Sequence, residues 1–263
     1  MRMSTLAHVL SIPTICLSLA FNANSEQAQT FAPKSGTAYA SAEIRALQAD
    51  DTANPGMLWV ANGETLWNEA SGSKAKSCAR CHGASGAAMK GVATRYPMVD
   101  AATKSVSSLE GRINQCRAKH QGAAPLAYES AELLGLTAFV AFQSRGMSRQ
   151  VTIDETNRAV FERGAALYQQ RMGQMNLACV HCHVQHAGKT LLAEKISEGH
   201  SNGYPIYRLE WQGLGSLHRR LRSCQLGVRA EPFASGSDQY LALELYLAWR
   251  AGGLPIETPA VRR

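Results

Sequence analysis

Two Cys-x-x-Cys-His pentads, Cys78-Ala79-Arg80-Cys81-His82 and Cys179-Val180-His181-Cys182-His183, carry the most readable chemistry in this chain. This spacing is the attachment pattern of a c-type haem. Two thiols reach the two vinyl groups of one porphyrin, and the adjacent imidazole ligates the iron from the proximal face. A thioredoxin-like redox pair does not require the following His, and a zinc site would draw the pentads together rather than set them 101 residues apart. The expectation is two covalently bound haem c, one on Cys78 and Cys81 and one on Cys179 and Cys182. His82 and His183 are the expected axial ligands.

The remaining thiols are as informative. Of seven Cys, four lie in the pentads and Cys16 lies in the apolar N-terminal stretch, which leaves Cys116 and Cys224. A disulfide is the usual fate of two leftover thiols in an exported protein. Against it, the two occupy equivalent positions in an internal repeat, as residues serving each unit's own haem would. Electron-transfer cytochromes c commonly use a Met C-terminal to the pentad as sixth ligand, yet no Met follows His183. The second haem is left with His186, His200, His218 and Cys224. His186 is too near His183 to reach round the ring, and an exposed position is the common fate of the other two His. Around the first haem, Met89, Met98, Met147 and His120 compete with Cys116, so that assignment rests on the repeat. The resulting ligand sets are His82 with Cys116 and His183 with Cys224.

Cations crowd one of these thiols. Arg219, Arg220, Arg222 and Arg229 surround Cys224 in sequence, a density that favours the thiolate and attracts a small dianion. If Ser216 to Gln225 is helical, Arg220 and Cys224 lie four apart on one face, so a guanidinium fork and a sulfur address one substrate. Arg219 and Arg222 point elsewhere on such a helix and read as a solvated face. Arg112 stands in the same relation to Cys116, without the added cations, and reads as structural or electron-relaying.

These groups are positioned by a tandem. Gly63-x-x-Leu66-Trp67 and Gly164-x-x-Leu167-Tyr168 each place Gly 15 positions before the first haem Cys. Ser108 to Cys116 aligns with Ser216 to Cys224, and the apolar, helically spaced run Leu136 to Gly146 aligns with Leu243 to Gly253. No alternating strand pattern of convincing length appears. The fold class is mostly α, a tandem of two cytochrome c-type haem domains at 51-150 and 151-263, with Gly146 to Asp154 as linker. Each haem supplies buried apolar area that so small a domain lacks. Residues 1-25 read as a secretory signal peptide, from Arg2, the apolar stretch Leu6 to Phe21 and the small residues Ala23-Asn24-Ser25. Residues 26-50 form an N-terminal extension, polar and mobile over 26 to 42. The localisation is then periplasm, with no membrane span in the mature chain.

Formal charge is +7, or +6 without Arg2, and four ionised propionates would bring it to about +2. Nucleic acid is not implied. The basic character serves an anionic substrate or an acidic carrier surface.

The two pentads, a Cys after each, and Arg220-Leu221-Arg222-Ser223-Cys224-Gln225-Leu226-Gly227 with no distal Met resemble the SoxA family, the dihaem subunits of SoxAX cytochrome complexes in bacterial sulfur oxidation. The resemblance covers essentially the whole mature chain. It implies His/Cys ligation at both haems, with Cys224 as active-site residue, often a persulfide, and Arg220 on the substrate side. It also implies a monohaem SoxX-like subunit, a SoxYZ-like sulfur carrier, thiosulfate as substrate and a small cytochrome c as electron acceptor. The activity is that of an L-cysteine S-thiosulfotransferase. Two other readings are a dihaem electron-transfer cytochrome, which normally shows Met ligands in both halves, and a dihaem peroxidase, which gives no reason for paired Cys.

Overall fold

The computed structural model describes residues 32–263. The expected signal peptide lies outside the described residues. Residues Pro33–Arg263 form one compact unit, in the order α1 (Ala42–Ala49), α2 (Met57–Asn68), α3 (Ala79–His82), β1 (Met98–Val99), β2 (Val106–Ser107), α4 (Leu109–Cys116) and α5 (Ala131–Phe142). The second half adds α6 (Arg158–Gln169), β3 (Thr190–Leu191), β4 (Glu194–Lys195), β5 (Ile206–Arg208), β6 (Gly213–Gly215), α7 (Leu217–Gly227), α8 (Asp238–Arg250) and β7 (Ala260–Arg262).

The repeat seen in sequence is a repeat of packing. Helix α2 crosses α5 where Gly63 meets the backbone of Gly135, and α6 crosses α8 where Gly164 meets the backbone of Ala242. A Cβ at either glycine would run into the facing carbonyl oxygen. Absence of a side chain therefore sets how closely each pair approaches. One core gathers Val60, Trp67, Leu134, Leu136 and Phe139, and a second gathers Tyr168, Leu217, Tyr240, Leu243 and Leu247.

Matched Ser residues start the matched helices. Ser108 and Ser216 accept from the backbone N–H of Gly111 and Arg219 at 3.1 and 3.2 Å, and Ser130 and Ser237 cap α5 and α8 in the same way. Each such cap is worth about 1 kcal/mol.

Small strands accompany the helices, although the sequence shows no long alternation. β1 pairs antiparallel with β2, β3 with β4, and β5 stands between antiparallel β6 and parallel β7. Strands of two or three residues are too short to print a period-two pattern. The stretch expected as a linker is fixed: Arg149 is buried, and its N–H donates to the Leu254 carbonyl at 2.8 Å.

The described part of the N-terminal extension is also held, contrary to the expected mobile tail. Thr37 Oγ1 donates to Glu257, Tyr39 Oη to Glu198 at 2.7 Å, and Arg262 Nη2 donates to Thr37 Oγ1 at 2.9 Å. Its polar residues find partners at Glu198, Glu257 and Arg262, far along the chain, which a compositional reading does not see.

Among the described residues, no helix is long and apolar enough to cross a membrane.

Candidate active site

Helix α7 presents the site. Ser216 caps it, and Arg220 and Cys224 follow four residues apart on one face. Across from α7 stands the second pentad, which runs into a widened helical turn over His181–Gln185. His183 Nδ1 pairs with the Ser197 carbonyl at 2.8 Å, which leaves Nε2 as the nitrogen free to act. Gly199 makes this contact possible: at φ +73°, a Cβ there would sit 2.8 Å from His183 Cγ. The 197–200 backbone can thus close over the ring.

The Cys224 thiol faces the His183 imidazole and the Arg220 guanidinium. Burial works against its thiolate, but His183, Arg220 and the more distant Arg208 outweigh burial and bring the thiol down to about 7. Three other thiols, Cys78, Cys179 and Cys182, move the other way. Burial raises Cys179 to about 11, with the neighbouring Cys224 charge adding to it, and burial raises Cys182 and Cys78 as well. Arg220 is raised: burial opposes its charge, and Cys224, Tyr204 and the carboxylates of Glu210 and Glu194 more than compensate.

The other cations noted in sequence lie elsewhere. Arg219 stacks over Trp211 with its guanidinium carbon 4.3 Å from the ring centroid. Arg222 is exposed, and Arg229 is exposed with Nη1 3.5 Å from Gln174 Oε1. Sequence reasoning left out Arg208, which is 5 % exposed at the end of β5.

His200 and His218 are not exposed, contrary to expectation. His200 Nε2 is 3.0 Å from Glu198 and His218 Nε2 is 3.1 Å from Glu244, both side chains being 3 % exposed. A carboxylate partner makes burial of an imidazole tolerable. His186 is exposed and bonds the His181 carbonyl.

In the first repeat, Cys116 ends α4 near Cys78 and Tyr96. His82 lies with its ring centroid 5.7 Å from that of Trp67, whose Nε1 donates to the Gly83 carbonyl at 2.8 Å. Arg112 is drawn to Asp100, at 3.1 Å. Met98 and Met147 are substantially exposed, while Met89 packs on the α2/α5 core. All six described Cys are free thiols, so no disulfide joins Cys116 to Cys224.

The residues fit haem c. Each pentad offers two unpaired thiols and an imidazole, and His183 has its second nitrogen anchored by a backbone carbonyl, as a metal-ligating imidazole commonly does.

The family model for the SoxA/TsdA cytochrome c domain matches residues 62–148. The L-cysteine S-thiosulfotransferase subunit SoxA of Pseudaminobacter salicylatoxidans is 40% identical over 230 residues, 87% of this chain and 80% of that protein. The chain belongs to the SoxA family. SoxA of Rhodovulum sulfidophilum is 37% identical with the same coverage, 87% and 80%. The crystal structure of SoxXA from P. pantotrophus superposes with a TM-score of 0.85 at 35% identity, covering 88% of this chain and 87% of that one. The cytochrome c domain shared by the SoxA family carries haem c, and the fold is of the mostly helical cytochrome type.

Proposed function

We propose that this SoxA-family chain is a periplasmic dihaem cytochrome that joins thiosulfate oxidatively to a cysteine of a SoxYZ-like carrier. Two cytochrome c-type units, 51–150 and 151–263, would each carry one haem, the first held through Cys78, Cys81, His82 and Cys116 and the second through Cys179, Cys182, His183 and Cys224. The observation that carries the reading is the Cys224 thiol, on one face of α7 with Arg220, set against His183 of the second pentad. The activity for which the SoxA relatives are named, L-cysteine S-thiosulfotransferase, needs such a group.

The Arg220 fork neutralises and orients the sulfonate end of thiosulfate, leaving the outer sulfur toward Cys224. The Cys224 thiolate and that sulfur form a disulfide bond, S₂O₃²⁻ + Cys224–S⁻ giving Cys224–S–S–SO₃⁻ and two electrons. When Cys224 carries a persulfide, its terminal sulfur takes the same part. The carrier thiol loses its proton and attacks the outer sulfur, which forms the carrier thiosulfonate and returns the Cys224 thiolate. Bound haem supplies one-electron acceptance toward a SoxX-like monohaem subunit and a small acceptor cytochrome c. His183 holds its orientation through Ser197, and the half-buried Tyr204 lies beside Arg220 and Cys224.

The test is thiosulfate-dependent cytochrome reduction by the assembled complex with carrier present. Cys224→Ser abolishes it. Arg220→Lys keeps the charge, loses the fork and lowers turnover with both haem spectra nearly intact. Full activity of Cys224→Ser returns the chain to the class of electron carriers.

A further inference from the structure

Each pentad is preceded by a loop built on the same plan. Ser71 bridges Lys76 as Met172 bridges Leu177. Between them the first loop turns at Gly72 and Ala75, with φ +70° and +46°, and the second at Gly173 and Asn176, with φ +67° and +49°. Both loops are tied in the same way to the chain that follows the matched Cys. Ser73 and Lys74 donate their N–H groups to the Gly122 and Gln121 carbonyls at 3.2 and 3.0 Å, and Gln174 and Met175 donate theirs to the Arg229 and Val228 carbonyls at 3.3 Å each. A widened helical turn over Arg117–Gln121 inserts one residue after Cys116, so Lys119 takes the place that Leu226 has.

The backbone is duplicated, but the side chains on it are not. Lys74, Lys76, Arg80 and Lys119 stand where the second repeat has Met175, Leu177, His181 and Leu226. Lys74 Nζ donates to the Lys119 carbonyl at 2.8 Å, which holds these two exposed residues together. None of the four cations forms a salt bridge with a described residue. The acid nearest in sequence, Glu69, is exposed just past the end of α2 and pairs with none of them. On the second loop Met175 and Leu226 are 53 % and 55 % exposed. The cations there, Arg171 and Arg229, bond back to the loop itself, at the Asn176 carbonyl (2.9 Å) and Gln174 Oε1 (3.5 Å).

Cations gathered without acids repel one another, and their field reaches about 8 Å into solvent at physiological salt. A partner that brings carboxylates relieves the repulsion when it docks and is steered toward the surface as it approaches. These cations lie on the segments that lead into Cys78 and follow Cys116. A protein seated on them therefore stands at the first pentad.

We infer that Lys74, Lys76, Arg80 and Lys119 form a docking surface at the first pentad for an electron-carrier protein with an acidic face. The inference rests on the cytochrome reading of that pentad and adds to it the charge of the partner that docks there. The second pentad, with Met175 and Leu226 at the matched positions, lacks this surface.

Calorimetric titration of the assembled holo complex decides the matter, with cytochrome c as the probe in two forms, unmodified and basic or succinylated on its lysines and acidic. The succinylated form should bind at low ionic strength and lose at least about tenfold in affinity by about 0.2 M salt, and the unmodified form should not bind. Lys74→Glu combined with Lys119→Glu should raise Kd for the succinylated form at least about tenfold, with two haems still attached and both spectra as in the parent. Met175→Glu, the matched change on the second loop, should leave Kd within about twofold. Failure of the succinylated form to bind, equal binding of both forms, or a loss in Met175→Glu as large as in the double variant overturns the inference. Binding of the parent to phosphatidylglycerol vesicles, with none to the succinylated protein, overturns it in favour of a membrane surface. If the double variant does not keep its haems, Lys74→Gln decides: a Kd raised about threefold or more supports the docking surface, and an unchanged Kd overturns it. A parent protein with no haem on Cys78 and Cys81 removes the cytochrome reading of the first pentad, whereas failed docking with both haems present leaves that reading standing.

Discussion

The Nδ1 of His183 lies 2.8 Å from the carbonyl oxygen of Ser197, and this single contact fixes which ring nitrogen faces Cys224. His82 has no corresponding hydrogen bond to a described residue; its ring lies near Trp67 instead. The two imidazoles are thus oriented by different means, one polar and one by packing. Gly199→Ala places a methyl group 2.8 Å from His183 Cγ at a positive φ, which costs on the order of 1–3 kcal/mol. The expected outcome is a shift of one low-spin ferric signal with the other unmoved, read by electron paramagnetic resonance. A shift of both signals, or of neither, would count against the His183 assignment.

Haem attachment predicts a mass. The four pentad thiols are free in the structure and spaced for thioethers. Denaturing mass spectrometry of the exported protein should show two haems still bound, and Cys179→Ala with Cys182→Ala should show one. A parent protein with one covalent haem would remove the dihaem proposal.

Close helix crossing predicts intolerance at Gly63 and Gly164. A Cβ at either runs into a backbone carbonyl oxygen of the facing helix, which cannot rotate away as a side chain could. Gly164→Ala should therefore cost about 3 kcal/mol or more, at the upper end of overpacking penalties. Thermal unfolding of the holoprotein measures it, and a loss of under about 1 kcal/mol would show that the α6/α8 pair can separate at little cost.

A pH dependence follows from Glu110. Burial, followed by the Glu244 carboxylate, pushes its pKa from 4.5 up to about 7. The folded chain therefore holds this proton more tightly than the unfolded chain. Stability is fully present below the unfolded value and is lost as pH rises through the window from 4.5 to about 7. Glu110→Gln should flatten this slope and raise the unfolding temperature on the alkaline side. Melting curves across the window check it, and parallel profiles for parent and variant would show that Glu110 titrates as a free carboxyl.

The sequence by itself determined the covalent chemistry and the tandem. Thioether spacing is local, so Cys78-x-x-Cys81-His82 and Cys179-x-x-Cys182-His183 declare themselves without a fold. A repeat with matched Ser caps and matched Gly, preceding Cys116 and Cys224 alike, is likewise legible as text. The four-residue step from Arg220 to Cys224 is a property of one helix, and α7 needed only its period. Tertiary structure decided the contacts made between segments distant in the chain. It brought the Ser197 carbonyl to His183, buried His200 and His218 against carboxylates, and tied the N-terminal segment to the C-terminal strand. It also separated the cations: Arg219 lies on Trp211, Arg222 and Arg229 are exposed, and Arg208, distant in sequence, is ion-paired with Glu194 and Glu210, while Arg220 shares a face of α7 with Cys224. Composition gives a density of charge along the chain, whereas electrostatic and hydrogen-bond energies depend on distance and direction in space. Only the packing of β5 and α7 fixes those.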